Sequence, residues 1–305
     1  MGFVEPENVE DVIAGLGAQG YLASQGLGTA LFLAMSLQRP LFLEGEPGVG
    51  KTEVANALST WTGGHLIRMQ CYEGLDASQA VYEWDYTRQL LHLRTAEASG
   101  RASASSETEL EDELYDERFL VKRPLLQAVS NSYELPPVLL IDEVDRADDE
   151  FEAFLLEVLS DYAVTVPEVG RFAAETPPRV IITSNRTRDV HDALKRRCLY
   201  HWVDHPAFEQ EVAIIMSRAP GVGEPLARQV AAATRELRDG GLYKPPGVAE
   251  SIDWAEAVAR LGATELTGET IEATLGAVLK YREDQARVLE NQLPELVQRV
   301  MAQAG

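Results

Sequence analysis

The apolar run Leu41-Phe42-Leu43 leads straight into GEPGVGKT, Gly45 to Thr52. That stretch has the spacing G-x-x-x-x-G-K-[ST], and the spacing has a physical meaning. Glycines let successive backbone N–H groups close around phosphate oxygens. Lys51 adds a point charge for the outer phosphates, and the Thr52 hydroxyl can ligate Mg²⁺. A helix that starts at Lys51 turns its positive end toward the same anion. The candidate nucleotide-binding residues are therefore Gly45, Glu46, Pro47, Gly48, Val49, Gly50, Lys51 and Thr52, with Glu53 in the first helical turn. The loop constrains the fold because it needs a strand leading in and a helix leading out.

The rest of the chain supplies that context. Residues 8 to 38 read as helical, ending at Arg39-Pro40. Apolar runs of strand length then recur at Leu41–Leu43, Leu66–Met69, Val138–Ile141 and Val180–Thr183, with a less pure fifth at Leu199–Val203. Helical segments separate most of them, the pattern of a parallel sheet covered on both faces. In DDEFEAFLLEVLSD, Phe151, Phe154, Leu155, Val158 and Leu159 form one helical stripe. After Pro206 the strand signal disappears. The expected organisation is an α/β nucleotide-binding domain over residues 1–205, with an insertion at about 71–117, and a smaller all-helical domain over residues 206–305. Within the insertion, the small-residue and acidic stretch Ser99 to Glu117 reads as a solvated excursion.

Three further features carry chemistry. VLLIDEVDRA delivers Asp142 and Glu143 at the carboxyl end of a buried strand, the edge where open α/β sheets place ligands. Asp142 can hold Mg²⁺ through water, and Glu143 can polarise an attacking water. As a bland alternative, both could serve as acidic helix caps. VIITSNRTRD ends a second buried strand in Asn185, which can hold a phosphate or the water, or else act as a turn residue. DALKRRCLYHW ends a short helix in Arg196-Arg197. Cations suit a helix C-terminus, and an arginine there can also reach a neighbouring subunit's nucleotide. Cys198, His201 and His205 have a suggestive spacing for zinc, but strand alternation points Cys198 and His201 to opposite faces.

The charge bounds the partners. With 49 acidic against 27 basic residues, the formal net charge is −22. Such a surface repels a phosphate backbone, so sequence-independent nucleic-acid binding is disfavoured and protein partners fit better. Two cysteines and an N-terminus without a signal pattern suit a reducing cytoplasm, and no apolar stretch is long enough for a membrane span.

Phosphate loop, Asp-Glu strand, Asn strand, terminal arginines and a helical lid, in that order, resemble an AAA+ ATPase. Within that superfamily the chain resembles the MoxR group, and most of all its CoxD-type members linked to maturation of carbon monoxide dehydrogenase and related molybdenum hydroxylases. QCYEGLD, YEWDY, ERFLVKRPLLQA, TSNRTRDVHDALKRRCLYHW and YKPPGVAESIDWA carry the narrower likeness. The resemblance implies a P-loop NTPase core with a five-stranded parallel sheet, ATP and Mg²⁺ as cofactors, and cytoplasmic chaperone work. Lys51 and Thr52 would bind phosphate and metal, Asp142 would be the metal carboxylate, Glu143 the base and Asn185 the first sensor. Arg197 would be the finger, with Arg196 the alternative. A hexameric ring, a client protein and a von Willebrand-type adaptor are implied as partners. The other reading of the same core is a motor or loader acting on nucleic acid, which would want a basic channel. One departure stands out: KPPGVAES, Lys244 to Ser251, lacks the arginine that many relatives carry at the start of a lid helix. Lys244 could substitute only without the forked geometry. Tyr72, Tyr82, Trp84 and Tyr86 in the insertion could face a pore or pack a core.

Overall fold

The structure is a computed structural model that describes residues 3–98, 113–130 and 132–304. Most of the acidic excursion, residues 99–112, lies outside the described residues. The strands are β1 (Leu41–Glu44), β2 (Leu66–Gln70), β3 (Tyr82–Trp84), β4 (Leu120–Lys122), β5 (Val138–Asp142), β6 (Ala163–Val166), β7 (Gly170–Ala173), β8 (Arg179–Ser184) and β9 (Leu199–Trp202). Five of them form one parallel sheet in the order β2-β5-β8-β1-β9.

All five apolar runs of the sequence are strands of this sheet. β1 and β5 are buried along their whole length because both sheet faces are covered. β2 is an edge strand, and alternation leaves Arg68 and Gln70 outward while Ile67 and Met69 go in. Its register sets Arg68 beside Leu140 and Gln70 beside Asp142. The stripe on the helix Asp149–Asp161 is buried at Phe151, Leu155, Val158 and Leu159, with Phe154 partly buried against the same core.

Periodicity did not reveal two features. The antiparallel pairs β3–β4 and β6–β7 are only three or four residues per strand, too short to show an alternation. The helical stretch expected over residues 8 to 38 is two helices, Val9–Gly17 and Gln25–Ser36. Gly20 takes a left-handed conformation (φ +78°) after the first, and the Ser24 hydroxyl accepts from Leu27 N–H to start the second.

Contacts group the chain into two compact units. One holds Met1–Glu5, Thr29–Leu43 and Leu58–His201. Its core is built from Phe42, Leu139, Ile141, Phe151 and Leu155 among others. Trp84 is buried in this core and Tyr82 packs against it, whereas Tyr72 and Tyr86 are exposed. The other unit holds Pro6–Gly28, Glu44–Ala57 and Trp202–Gly305. Beyond β9 its chain is helical, and its core centres on Trp254, fully buried with its indole N–H donating to Thr274 Oγ1 at 2.7 Å. No helix among the described residues is long and apolar enough to cross a membrane.

Candidate functional site

β1 hands the chain to Gly45, where a Cβ would meet the Val203 carbonyl oxygen at 2.4 Å. Gly48 (φ +80°) and Gly50 (φ +90°) take left-handed conformations open chiefly to glycine. The helix Lys51–Thr62 follows at once, as a phosphate cradle requires. The Lys51 ammonium is buried and donates to the Gly45 and Glu46 carbonyls at 2.8 and 2.7 Å. The loop is thus shaped around its own cation, and a nucleotide's phosphates fit that cradle. Thr52 is half-buried in the first helical turn, together with Glu53.

The same unit ties the loop down at several points. Glu46 pairs with His205 at 3.1 Å and Glu53 with Arg218 at 3.0 Å. The Gly48 carbonyl accepts from Val248 N–H at 2.9 Å. Tyr21 lies beside Gly50, and burial, helped by the charge of Glu53, keeps its phenol protonated at any ordinary pH.

In the other unit, the ends of β5 and β8 bring Asp142, Glu143 and Asn185 together. The parallel pairing of these strands carries both to one sheet edge. Glu143 Oε1 accepts from Asn185 Nδ2 at 2.9 Å, and Oε2 from Gln70 Nε2 at 3.1 Å. Its backbone sits in the left-handed region (φ +55°), a conformation that costs a non-glycine residue of order 1 kcal/mol or more and persists only where neighbours hold it. Thr183 does so, accepting from Glu143 N–H at 2.9 Å while donating to Asp142 Oδ1 at 2.6 Å. Arg68 donates to the other Asp142 oxygen at 2.6 Å. Asp142 is therefore a fixed carboxylate, of the hard-oxygen type that Mg²⁺ takes directly or through water. Among the described residues, no three His, Cys, Asp or Glu side chains converge to hold a metal by themselves; the Cys198 thiol, set aside above as a zinc ligand, donates to the Leu194 carbonyl at 3.2 Å.

Sequence reading missed Thr183, Gln70, Arg68 and Asp145. The last is buried and accepts from Asn185 N–H (3.1 Å), Thr187 N–H (2.8 Å) and the Thr187 hydroxyl (2.7 Å), which holds the turn after β8. Burial pushes the Asp145 carboxyl up, but these hydrogen bonds outweigh it, and the net shift is downward. Its place three residues after Asp142 was the one available signal. Cys71 sits beneath this cluster. Burial, then the charges of Asp142, Asp145, Glu143 and Glu152, push its thiol up to about 12, so it is protonated and not a nucleophile.

Thr183→Val keeps the shape of the side chain but removes both hydrogen bonds. It should lower unfolding free energy by about 1–3 kcal/mol, because Glu143 N–H and Asp142 each lose a buried partner. Urea denaturation of the two proteins measures this directly, and unchanged stability would mean that Thr183 does not restrain Glu143.

Arg196 and Arg197 end the helix Asp192–Arg197 and are exposed. The carbonyls at that helix end are taken by a different cation. Arg39 donates to the carbonyls of Arg196 (2.8 Å), Arg197 (3.1 Å) and Cys198 (3.4 Å). Capping this helix therefore does not call for Arg196 or Arg197.

A strand–glycine loop–helix cradle and an acid–amide pair at neighbouring strand ends define a P-loop nucleotide-binding protein. A family model for the AAA domain, dynein-related subfamily, matches residues 40–198, just over half of the chain. The chain belongs to that family, and so to the AAA+ ATPases. Among solved structures it is similar to a mutant form of Thermotoga maritima RuvB, at 14% identity and a TM-score of 0.51, covering 99% of this chain and 92% of that one. It also matches a putative ATPase from Cytophaga hutchinsonii at 14% identity and a TM-score of 0.45, covering 97% and 93%. At such identity the first likeness speaks to the fold alone.

Proposed function

We propose that this chain is a Mg²⁺-dependent ATPase of the MoxR type that works as a ring, a hexamer, to remodel or mature a client protein in the cytoplasm. The client class is a metal-cofactor enzyme such as a molybdenum hydroxylase, reached directly or through a von Willebrand-type adaptor. The observation that carries hydrolysis is Glu143, whose carboxylate is held by Asn185 and Gln70 and whose left-handed backbone is held by Thr183. A nucleotide switch without turnover has no use for so constrained a carboxylate.

In this reading Lys51 and the loop amides bind the phosphates. Thr52 and Asp142 would hold Mg²⁺, which when bound offsets phosphate charge. Glu143 takes a proton from the attacking water, and Asn185 orients that water or the terminal phosphate. Arg197 supplies charge to the nucleotide of a neighbouring subunit, with Arg196 the alternative. The net charge of −22 and the CoxD-like segments support a protein client over nucleic acid.

Arg197→Ala should lower turnover about 10³-fold and leave nucleotide binding intact. Steady-state ATPase rates beside a binding isotherm test this, and normal turnover would move the finger to Arg196 or remove it. The client is tested by a trap: tagged Glu143→Gln, expressed in the native host, held in ATP and analysed by mass spectrometry. A molybdenum hydroxylase subunit or an adaptor, lost when nucleotide is removed, is the expected catch. DNA or replication proteins would overturn the chaperone reading in favour of a motor on nucleic acid.

A further inference from the structure

The stretch Lys244 to Ser251 has no arginine to reach a nucleotide, and Lys244 is engaged elsewhere. Its ammonium lies 5.8 Å from the Tyr281 ring centre, and its backbone N–H donates to Asp284. Yet the start of the helix Val248–Arg260 meets the phosphate loop directly, through backbone. Val248 N–H donates to the Gly48 carbonyl at 2.9 Å. A Cβ on Gly247 would stand 2.6 Å from Gly48 Cα, and one on Gly48 would stand 2.9 Å from Gly247 Cα.

The two glycines are needed for different reasons. Gly48 has φ +80°, so its conformation alone favours glycine. Gly247 has φ −85° and ψ −171°, extended backbone open to any residue. At Gly247 only the approach of the loop excludes a side chain.

A buried network fixes Gly247 in place. Arg238 makes two bonds of 2.7 Å to the Glu211 carboxylate, itself 2% exposed, and donates from Nε to the Pro246 carbonyl at 2.8 Å. The buried Ser251 hydroxyl lies 2.6 Å from Glu211 Oε1 and 3.1 Å from the Gly247 carbonyl. Gly247 N–H donates to Glu250 Oε2 at 2.9 Å. A bidentate, buried ion pair has one good geometry and is costly to break, so it defines a position sharply.

We propose that Gly247, held by Arg238, Glu211 and Ser251, is a positioning residue through which the helical region sets the phosphate loop for nucleotide, in place of the missing arginine. This rests on the reading that the loop binds ATP. The mechanism lies in one peptide plane. In a trans peptide C=O and N–H point in opposite directions. Tying the Gly48 carbonyl to Val248 therefore turns the Val49 N–H away from that helix, on the loop's own side, where a phosphate is met.

The test uses the 305-residue chain, a fluorescent ADP analogue for affinity and ATP turnover for KM and kcat. Gly247→Ala adds one methyl at a backbone conformation alanine adopts freely. We expect the dissociation constant and KM to rise about tenfold or more, with a smaller change in kcat; the apo melting temperature falls as well, because the methyl meets Gly48 backbone. Ser251→Ala loosens Gly247 without adding an atom at the loop and should shift affinity the same way by about threefold. Wild-type affinity in a folded Gly247→Ala protein overturns the proposal. If that variant does not fold, Ser251→Ala decides: weakened binding supports it and full affinity overturns it. A wild-type chain that binds no nucleotide would sink the ATPase reading, whereas a wild type that binds beside variants of full affinity sinks this inference alone.

Discussion

Glu143→Gln is expected to bind ATP with near wild-type affinity and to hydrolyse it roughly 10²- to 10⁴-fold more slowly, the range associated with losing a positioned general base. The substitution keeps size and shape but removes the negative charge and with it the ability to take a proton. Asn185 and Gln70 both donate to this side chain. An amide in its place turns one NH₂ toward a donor and forfeits one hydrogen bond, worth about 0.5–1.5 kcal/mol, a small structural cost beside the kinetic one. Single-turnover hydrolysis beside equilibrium binding separates the two effects. A variant that turned over at more than a tenth of the wild-type rate would show that Glu143 is not the base.

Lys51→Ala is expected to weaken nucleotide binding by about 10²-fold, the scale of one or more charge-assisted hydrogen bonds to phosphate. The Lys51 ammonium is buried against the Gly45 and Glu46 carbonyls, so its loss also removes the donor that shapes the loop. Nucleotide at a hundred times its wild-type dissociation constant stabilises the native protein by about 2.7 kcal/mol, and most of that gain should vanish in the variant. Thermal melts with and without ADP give the readout. A variant with an undiminished nucleotide-induced shift would place the phosphate somewhere other than GEPGVGKT.

These two residues differ in how the chain reveals them. Lys51 belongs to eight contiguous residues whose spacing is itself the signal. Glu143 is marked by an apolar run that ends in two carboxylates. The groups that hold Glu143 carry no such mark. Gln70 is an ordinary polar residue on an edge strand, and only the β2–β5 register sets it beside Asp142. Thr183 looks like one more residue of a buried strand until the β5–β8 pairing brings its hydroxyl to Asp142 and the Glu143 amide. The terminal arginines were legible, but that Arg39 caps their helix was not, since the two segments lie far apart along the chain.

By itself the sequence determined the cradle, the five strands, the acids at their carboxyl ends and the helical C-terminal stretch. Those features are local: contiguous motifs, apolar runs and glycine or proline breaks act within a few residues of where they are written. The tertiary structure alone decided which side chains restrain Glu143, how Asp145 fixes the turn at Asn185, and why Gly247 must be glycine. Each depends on atoms brought within about 3 Å by strand register or helix packing from distant parts of the chain, where hydrogen-bond geometry is short-ranged and leaves no periodic trace in the sequence.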